Sequence, residues 1–102
     1  MAQIRKITIS LVSGEIKYSE ARQKADPGDT IEWNCADGNF AVQFQGLSPA
    51  KKRKDKKKKA DPLSMVIRNA NELAPGAYKY MVAVASGDDV FIDDPEIIID
   101  AV

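Results

Sequence analysis

The feature that most constrains this chain is a period-two alternation of apolar and polar residues in short segments. The alternating segments cover 6–11, 30–34, 40–45 and 63–67. Successive side chains on a β-strand point to opposite faces, so this period predicts strands with one buried face. Segments 77–85 and 96–102 are rich in β-branched and aromatic residues and also predict strands.

Turn signals separate these segments, and the clearest are Pro27-Gly28, Asp37-Gly38 and Pro75-Gly76. Proline presets one backbone angle of a tight turn, and glycine accepts the positive φ that some turns need. No long segment has the period of a helix. The pattern predicts an all-β sandwich of about seven short strands.

The length of 102 residues fits one domain with a modest core, so we expect a single domain over 1–102. No apolar run approaches the roughly 20 residues that span a bilayer, so no transmembrane segment is expected. Residues 1–6 alternate like a strand and lack the apolar stretch of a signal peptide. We expect a cytoplasmic protein, or a periplasmic or secreted one if a leader precedes these residues.

Charge is distributed very unevenly along the chain. Residues 51–60 carry eight basic side chains and one acidic one, whereas the remaining residues carry seven basic and fourteen acidic ones. Like charges at this density repel each other, which predicts a solvated basic loop inserted at 50–61. A mobile cationic arm of this kind favours binding of a polyanion or an acidic protein surface. The candidate binding residues are Lys51, Lys52, Arg53, Lys54, Lys56, Lys57, Lys58 and Lys59.

Other interpretations of the basic segment stay open. It contains no aromatic residue, so it offers no platform on which nucleic-acid bases stack. In a eukaryotic protein a KKRK run would also resemble a nuclear import signal. The simplest alternative is a loop that only aids solubility, or that docks on the acidic residues 86–102 of the same chain.

Other residues are weaker candidates for a site. The acidic residues could offer oxygen ligands to Ca²⁺, but they lack EF-hand spacing, and a solvated acidic loop facing the basic insert is the simpler interpretation. The single cysteine, Cys35, has no basic neighbour to activate it and fits a half-buried core position. The aromatic residues lie at alternating strand positions, which favours core packing over an exposed contact patch. The acidic residues are Asp88, Asp89, Asp93, Asp94 and Glu96. The aromatic residues are Trp33, Phe40, Phe44, Tyr78 and Tyr80.

Three motifs occur in a fixed order: PGDTIEW at 27–33, PGAYKY at 75–80 and DPEIII at 94–99. This order resembles the cupredoxin family, which similarly shows a Gly-Asp-x-apolar-x-Trp strand, a Pro-Gly-x-Tyr-x-aromatic strand and a final apolar strand. The resemblance covers most of the chain apart from 13–25 and 47–62. It implies a Greek-key β-sandwich of cupredoxin type.

The resemblance also implies a blue-copper centre, which uses two imidazoles, a thiolate and a weak axial ligand such as methionine. It places the first histidine near Asn39, the cysteine near Val82 and the second histidine within 85–89. This chain contains no histidine, and its cysteine lies elsewhere. We therefore expect a cupredoxin-like scaffold with no copper site and no cofactor.

Catalysis has no support in the sequence, because the chain lacks histidine, a Gly-x-Ser-x-Gly elbow and a glycine-rich phosphate loop. The prediction is a non-enzymatic binding module. Two alternatives stay open. One is an atypical metal-binding or electron-transfer protein that uses Cys35 with Met81 or nearby carboxylates as ligands. The other is a homo-oligomer formed through exposed edge strands.

Overall fold

A computed structural model describes residues 2–100, which form two β-sheets packed face to face. Their strands are β1 (Ile4–Val12), β2 (Glu15–Tyr18), β3 (Arg22–Ala25), β4 (Thr30–Cys35), β5 (Asn39–Phe44), β6 (Lys54–Lys57), β7 (Leu63–Val66), β8 (Gly76–Ser86), β9 (Asp89–Asp93) and β10 (Glu96–Ile99). A 3₁₀ turn covers Ala70–Glu72. Within the described part of the chain, no helix is long and apolar enough to cross a membrane.

The first sheet has the order β2-β1-β4-β7, with β1 and β4 parallel and the other neighbours antiparallel. The second sheet has the order β3-β10-β8-β5-β6, and β9 also pairs with β8. The long strand β8 pairs with β10 along residues 76–79 and with β9 along residues 82–86. Asp94 and Pro95 separate β9 from β10, so the two strands pair with successive parts of β8.

The core lies between the sheets and centres on Trp33, Phe44 and Tyr80, all fully buried. The Trp33 and Tyr80 rings lie 5.5 Å apart in an edge-to-face arrangement. The Trp33 indole N–H donates to the Tyr80 hydroxyl at 3.1 Å, which joins the two sheets. Burial raises the pKa of Tyr80 to about 12. The burial of these three rings accounts for the alternating strand positions of the aromatic residues in the sequence.

The predicted core positions are confirmed for most of the aromatic residues. Phe40 is buried with the three central rings, while Tyr78 is half-buried and donates its hydroxyl to the Ala74 carbonyl. Cys35 is fully buried rather than half-buried. The two tyrosines therefore do not form an exposed contact patch, because Tyr80 faces the core.

The predicted all-β class is confirmed, but the structure has ten strands rather than about seven. The strands that no predicted segment covers are β2, β3, β6 and β9, and they have few or no fully buried side chains. β3 and β6 are mostly polar, β9 has three consecutive apolar residues, and β2 alternates over only four residues, so none shows a long apolar alternation. The last predicted strand covers β10, and its final residues, 101–102, lie outside the described residues.

A buried carboxylate, that of Asp29, joins the ends of β1 and β4. It accepts the backbone N–H groups of Gln3 and Asp26, both at 2.9 Å, and the Arg5 guanidinium N–H at 3.0 Å. Burial opposes ionisation, but these three donors hold the pKa of Asp29 below its usual value. The aspartate of the PGDTIEW motif thus has a structural role that its place in the sequence did not reveal.

Candidate functional site

The basic segment contains an edge strand where a loop was predicted. Residues Lys54–Lys57 form β6 and pair antiparallel with β5, with Lys56 opposite Ala41 and Lys57 opposite Phe40. The prediction of a solvated loop is therefore wrong over these residues. Backbone hydrogen bonds need no apolar side chain, and long lysine stems at an edge keep their ammonium groups in water.

Hydrogen bonds also hold the segment on both sides of β6. The Lys51 N–H donates to the Val66 carbonyl at 2.9 Å, and the Phe44 N–H donates to the Arg53 carbonyl at 2.8 Å. After β6, the Lys59 N–H donates to the Asn39 side-chain oxygen at 2.9 Å. The backbone of the segment is thus tied to the sandwich at several points, which contradicts the predicted mobile arm.

The charges of this segment are mostly left without a carboxylate partner. Lys52 pairs with Asp55 at 3.3 Å. Within residues 2–100, the seven other basic side chains of the segment form no ion pair. Those seven, all exposed, are Lys51, Arg53, Lys54, Lys56, Lys57, Lys58 and Lys59.

Most basic residues elsewhere are paired with a carboxylate. Arg22 pairs with Glu96 at 2.8 Å, and Lys79 pairs with Asp94 at 3.6 Å. Arg5, Lys17 and Lys24 also have carboxylate partners. The cationic surface of the protein is therefore concentrated along β6 and the residues beside it.

The acidic residues 88–96 do not face this cationic surface. The acidic strand β9 lies on the edge of β8 opposite β5, so β5 and β8 separate it from β6. Asp94 and Glu96 instead pair with Lys79 and Arg22. The alternative interpretation in which the basic segment docks on the acidic residues 86–102 is therefore wrong. Over residues 2–100, no group of three or more His, Cys, Asp or Glu side chains could hold a metal ion.

A groove lies beside β6 on the outer face of the second sheet, with a volume of about 690 Å³. The strand register places Lys56, Ala41, Ala83 and Ile92 side by side across β6, β5, β8 and β9. The groove is lined by Asn39, Phe40, Ala41, Lys56, Lys57, Lys58, Asp61, Ala83, Ala85 and Val90. The lysines could be predicted from the sequence but the groove could not, because its floor comes from distant segments.

The positions where the resemblance places copper ligands hold no imidazole or thiolate. Asn39 accepts a backbone N–H through its side chain, and Val82 is fully buried opposite Val42. Residues 85–89 form the tip of the β8–β9 hairpin. Its two-residue turn begins at Gly87, whose φ is 61°. The chain therefore does not fit the blue-copper ligand set.

The alternative ligand pair, Cys35 and Met81, is not brought together either. Cys35 is buried in β4 of the first sheet. Met81 lies in β8 of the second sheet, opposite the exposed Gln43 on the outer face. The second sheet therefore lies between the two sulfur-containing side chains.

No protein-family model and no curated protein matches the chain. Solved structures do match it. A purple cupredoxin from Nitrosopumilus maritimus is 13% identical, with a TM-score of 0.63, and the match covers 94% of this chain and 99% of that one. A pseudoazurin from Sinorhizobium is 16% identical, with a TM-score of 0.56, and the match covers 99% and 76%.

A copper(I) form of an amicyanin mutant is 15% identical, with a TM-score of 0.54, and the match covers 93% of this chain and 82% of that one. The likeness to these three structures shows that the chain has the cupredoxin fold. The predicted cupredoxin-like sandwich is thereby confirmed. At such low sequence identities the likeness shows the fold alone and does not indicate the function.

Proposed function

We propose that this protein is a non-enzymatic binding module, built on a cupredoxin fold without a blue-copper site, that binds a polyanion along β6. The observation that supports this most is the contrast in ion pairing. The basic residues of segment 51–59 are all exposed, and three of their lysines lie on β6. Within residues 2–100, none of these basic residues forms an ion pair apart from Lys52. Most other basic residues of the protein have a carboxylate partner.

The segregation of charge matters because the formal net charge of the chain is zero at pH 7. A polyanion therefore gains nothing from the overall charge and has to contact a local cationic surface. Lysines that neutralise anionic groups release condensed counterions, so such binding weakens steeply with salt. A strand backbone that is already paired also leaves only the lysine side chains to be ordered on binding.

The test compares two triple variants that lose the same charge. One is Lys54→Gln, Lys56→Gln and Lys58→Gln, at the β6 edge. The control is Lys17→Gln, Lys24→Gln and Lys79→Gln, whose lysines all have carboxylate partners. Binding of fluorescently labelled heparin and duplex DNA is measured by anisotropy from low to physiological salt.

We expect the β6 variant to bind duplex DNA more weakly and to lower the slope of log affinity against log salt by about 2–3. The control should change that slope by less than about 1. Two results would contradict the proposal. One is that the unmodified protein binds neither polyanion at low salt. The other is that both triple variants weaken binding equally, since that would reflect net charge alone.

A further inference from the structure

We propose that the groove beside β6 binds a single amphipathic anion, with its apolar body on the groove floor and its acid group against the lysines. This inference goes beyond the proposed function and rests on the same lysines for the cationic side of the site. It names the chemistry of the ligand: one apolar chain or ring that ends in a carboxylate, sulfate or phosphate.

The floor of the groove is made of small apolar side chains. Ala41 on β5 lies opposite Ala83 on β8, and Ala85 follows two residues later on the same face of β8. Residues at i and i+2 of a strand share a face, so these three methyl groups form one shallow surface. The side chains on both sides, lysine on β6 and larger apolar residues on β9, are longer than these methyl groups. The alanine positions of β5 and β8 therefore form the floor of the groove.

The two sides of the groove differ in chemistry. On the β6 side, the lining holds three lysines, Lys56, Lys57 and Lys58, and one carboxylate, Asp61, so this side is cationic overall. On the β9 side, Val90 lines the groove opposite Ala85. Val90 is 64% exposed, which leaves a large apolar side chain in contact with solvent.

Within the groove itself, this asymmetry favours a ligand with one apolar end and one anionic end. Adjacent strands lie about 4.8 Å apart, so the backbones of β6 and β9 are separated by about 14 Å across the groove. That width accommodates one apolar chain or ring between the two sides. The volume of about 690 Å³ is in the range of small-molecule sites. A few charged groups beside an otherwise apolar lining are also typical of such sites.

The experiment uses decanoate and decyltrimethylammonium below their micellar concentrations, because the two share an apolar chain and differ in the sign of the head group. Binding to the full chain is followed by amide chemical-shift changes and by calorimetry at pH 7. We expect decanoate to bind at least about tenfold more tightly than the cation. Its shift changes should centre on Ala41, Ala83, Ala85 and Val90.

Two variants test the floor separately from the charge. Ala83→Leu and Ala85→Leu each fill the groove and keep every lysine, and Ala85 is exposed, so the second variant serves if the first disturbs the fold. The matched control is Gln43→Leu, an exposed position on the same face that does not line the groove. Each filling variant should weaken decanoate binding by about tenfold, and the control should not.

Heparin binding of the same variants separates this inference from the proposed function. If the groove is the site, the filling variants lose decanoate binding and keep heparin binding within about twofold, since the lysines remain. Equal binding of decanoate and decyltrimethylammonium would overturn the inference. So would decanoate affinity that is unchanged in both filling variants. Either result would leave the polyanion proposal to be judged by its own triple variants.

Discussion

The two ends of the second sheet treat charge in opposite ways. At the β3–β10 end, basic and acidic side chains lie on neighbouring strands and pair, as Arg22 does with Glu96 at 2.8 Å and Lys24 with Asp100 at 3.7 Å. At the β6 end, Lys52 pairs with Asp55, and within residues 2–100 the other basic side chains of the segment have no carboxylate partner. One sheet therefore carries a neutralised edge and a cationic edge.

This difference shows that the cationic edge does not arise from a general excess of lysine. The chain has equal numbers of basic and acidic residues, so its acids could in principle have neutralised β6. The acids that cluster in residues 88–96 lie instead on or beside β9 and β10, beyond two intervening strands. Exposed ion pairs add little stability, so pairing at one end and its absence at the other mainly change the local electric field.

The largest expected effect comes from the contact that sets the β4–β5 turn against β8. A methyl group at Gly38 would lie 2.0 Å from the Ala85 carbonyl oxygen. Gly38→Ala would therefore push β5 from β8 and disturb the frame that carries β6. We expect a loss of about 3 kcal/mol in the free energy of unfolding, measured by urea denaturation.

Ala36→Ser is the control for this variant, because Ala36 is exposed in the same turn. Its effect should stay within about 0.5 kcal/mol. A Gly38→Ala protein as stable as the control would show that the turn moves freely. The cationic edge would then not depend on this contact.

The next prediction concerns a buried carboxylate, which should contribute more to the free energy of unfolding than the exposed ion pairs at the β3–β10 end do. The expected effect is smaller than that of Gly38→Ala. Asp29→Asn keeps the shape of the side chain but removes the charge that Arg5 and two backbone N–H groups stabilise. We expect it to lower the free energy of unfolding by about 2 kcal/mol at pH 7. Equilibrium unfolding of both proteins measures this difference.

The pH dependence of that difference follows from the lowered pKa of Asp29. A carboxyl with a depressed pKa in the folded state contributes its stability above the unfolded value, about 3.9, and loses it as pH falls through the folded value. The gap between the two proteins should stay constant from pH 7 to about 5 and shrink below about 4. A gap that persists unchanged at pH 2 would mean that the charge of Asp29 is not its cause.

The smallest effect tests the comparison between the two ends directly. Glu96→Gln breaks an ion pair and should lower the free energy of unfolding by about 0.2–1 kcal/mol. Lys56→Gln removes one of several neighbouring like charges and should leave stability unchanged or raise it by about 0.3 kcal/mol. Thermal unfolding at low and high salt measures both.

Added salt should weaken each of these effects, because it screens exposed charges. Equal destabilisation by the two variants would show that Lys56 has a stabilising partner. The two ends of the sheet would then be electrostatically alike.

The parts of the fold that could be predicted from sequence are those in which one face of a strand is buried. In β4 and β5 the buried residues alternate strictly with exposed or half-exposed ones, so their pattern is visible locally. The same alternation in β7 made it equally predictable. The lack of histidine is a matter of composition, and it excludes the blue-copper ligand set whatever the fold.

The strand at the centre of the candidate site could not be predicted in this way. Lys54–Lys57 contains three lysines and one aspartate, residue types that are depleted in strands. It forms a strand because β5 offers an open edge whose N–H and C=O groups pair with it.

The class of fold, the lack of histidine and the cationic segment all follow from the sequence alone, because composition and period-two alternation are local properties. That this segment is an edge strand beside an alanine floor follows only from the tertiary structure. The floor depends on Ala41 lying opposite Ala83, and the cationic side depends on Lys56 lying opposite Ala41. Such pairings are set by register between distant strands, and no local pattern specifies that register.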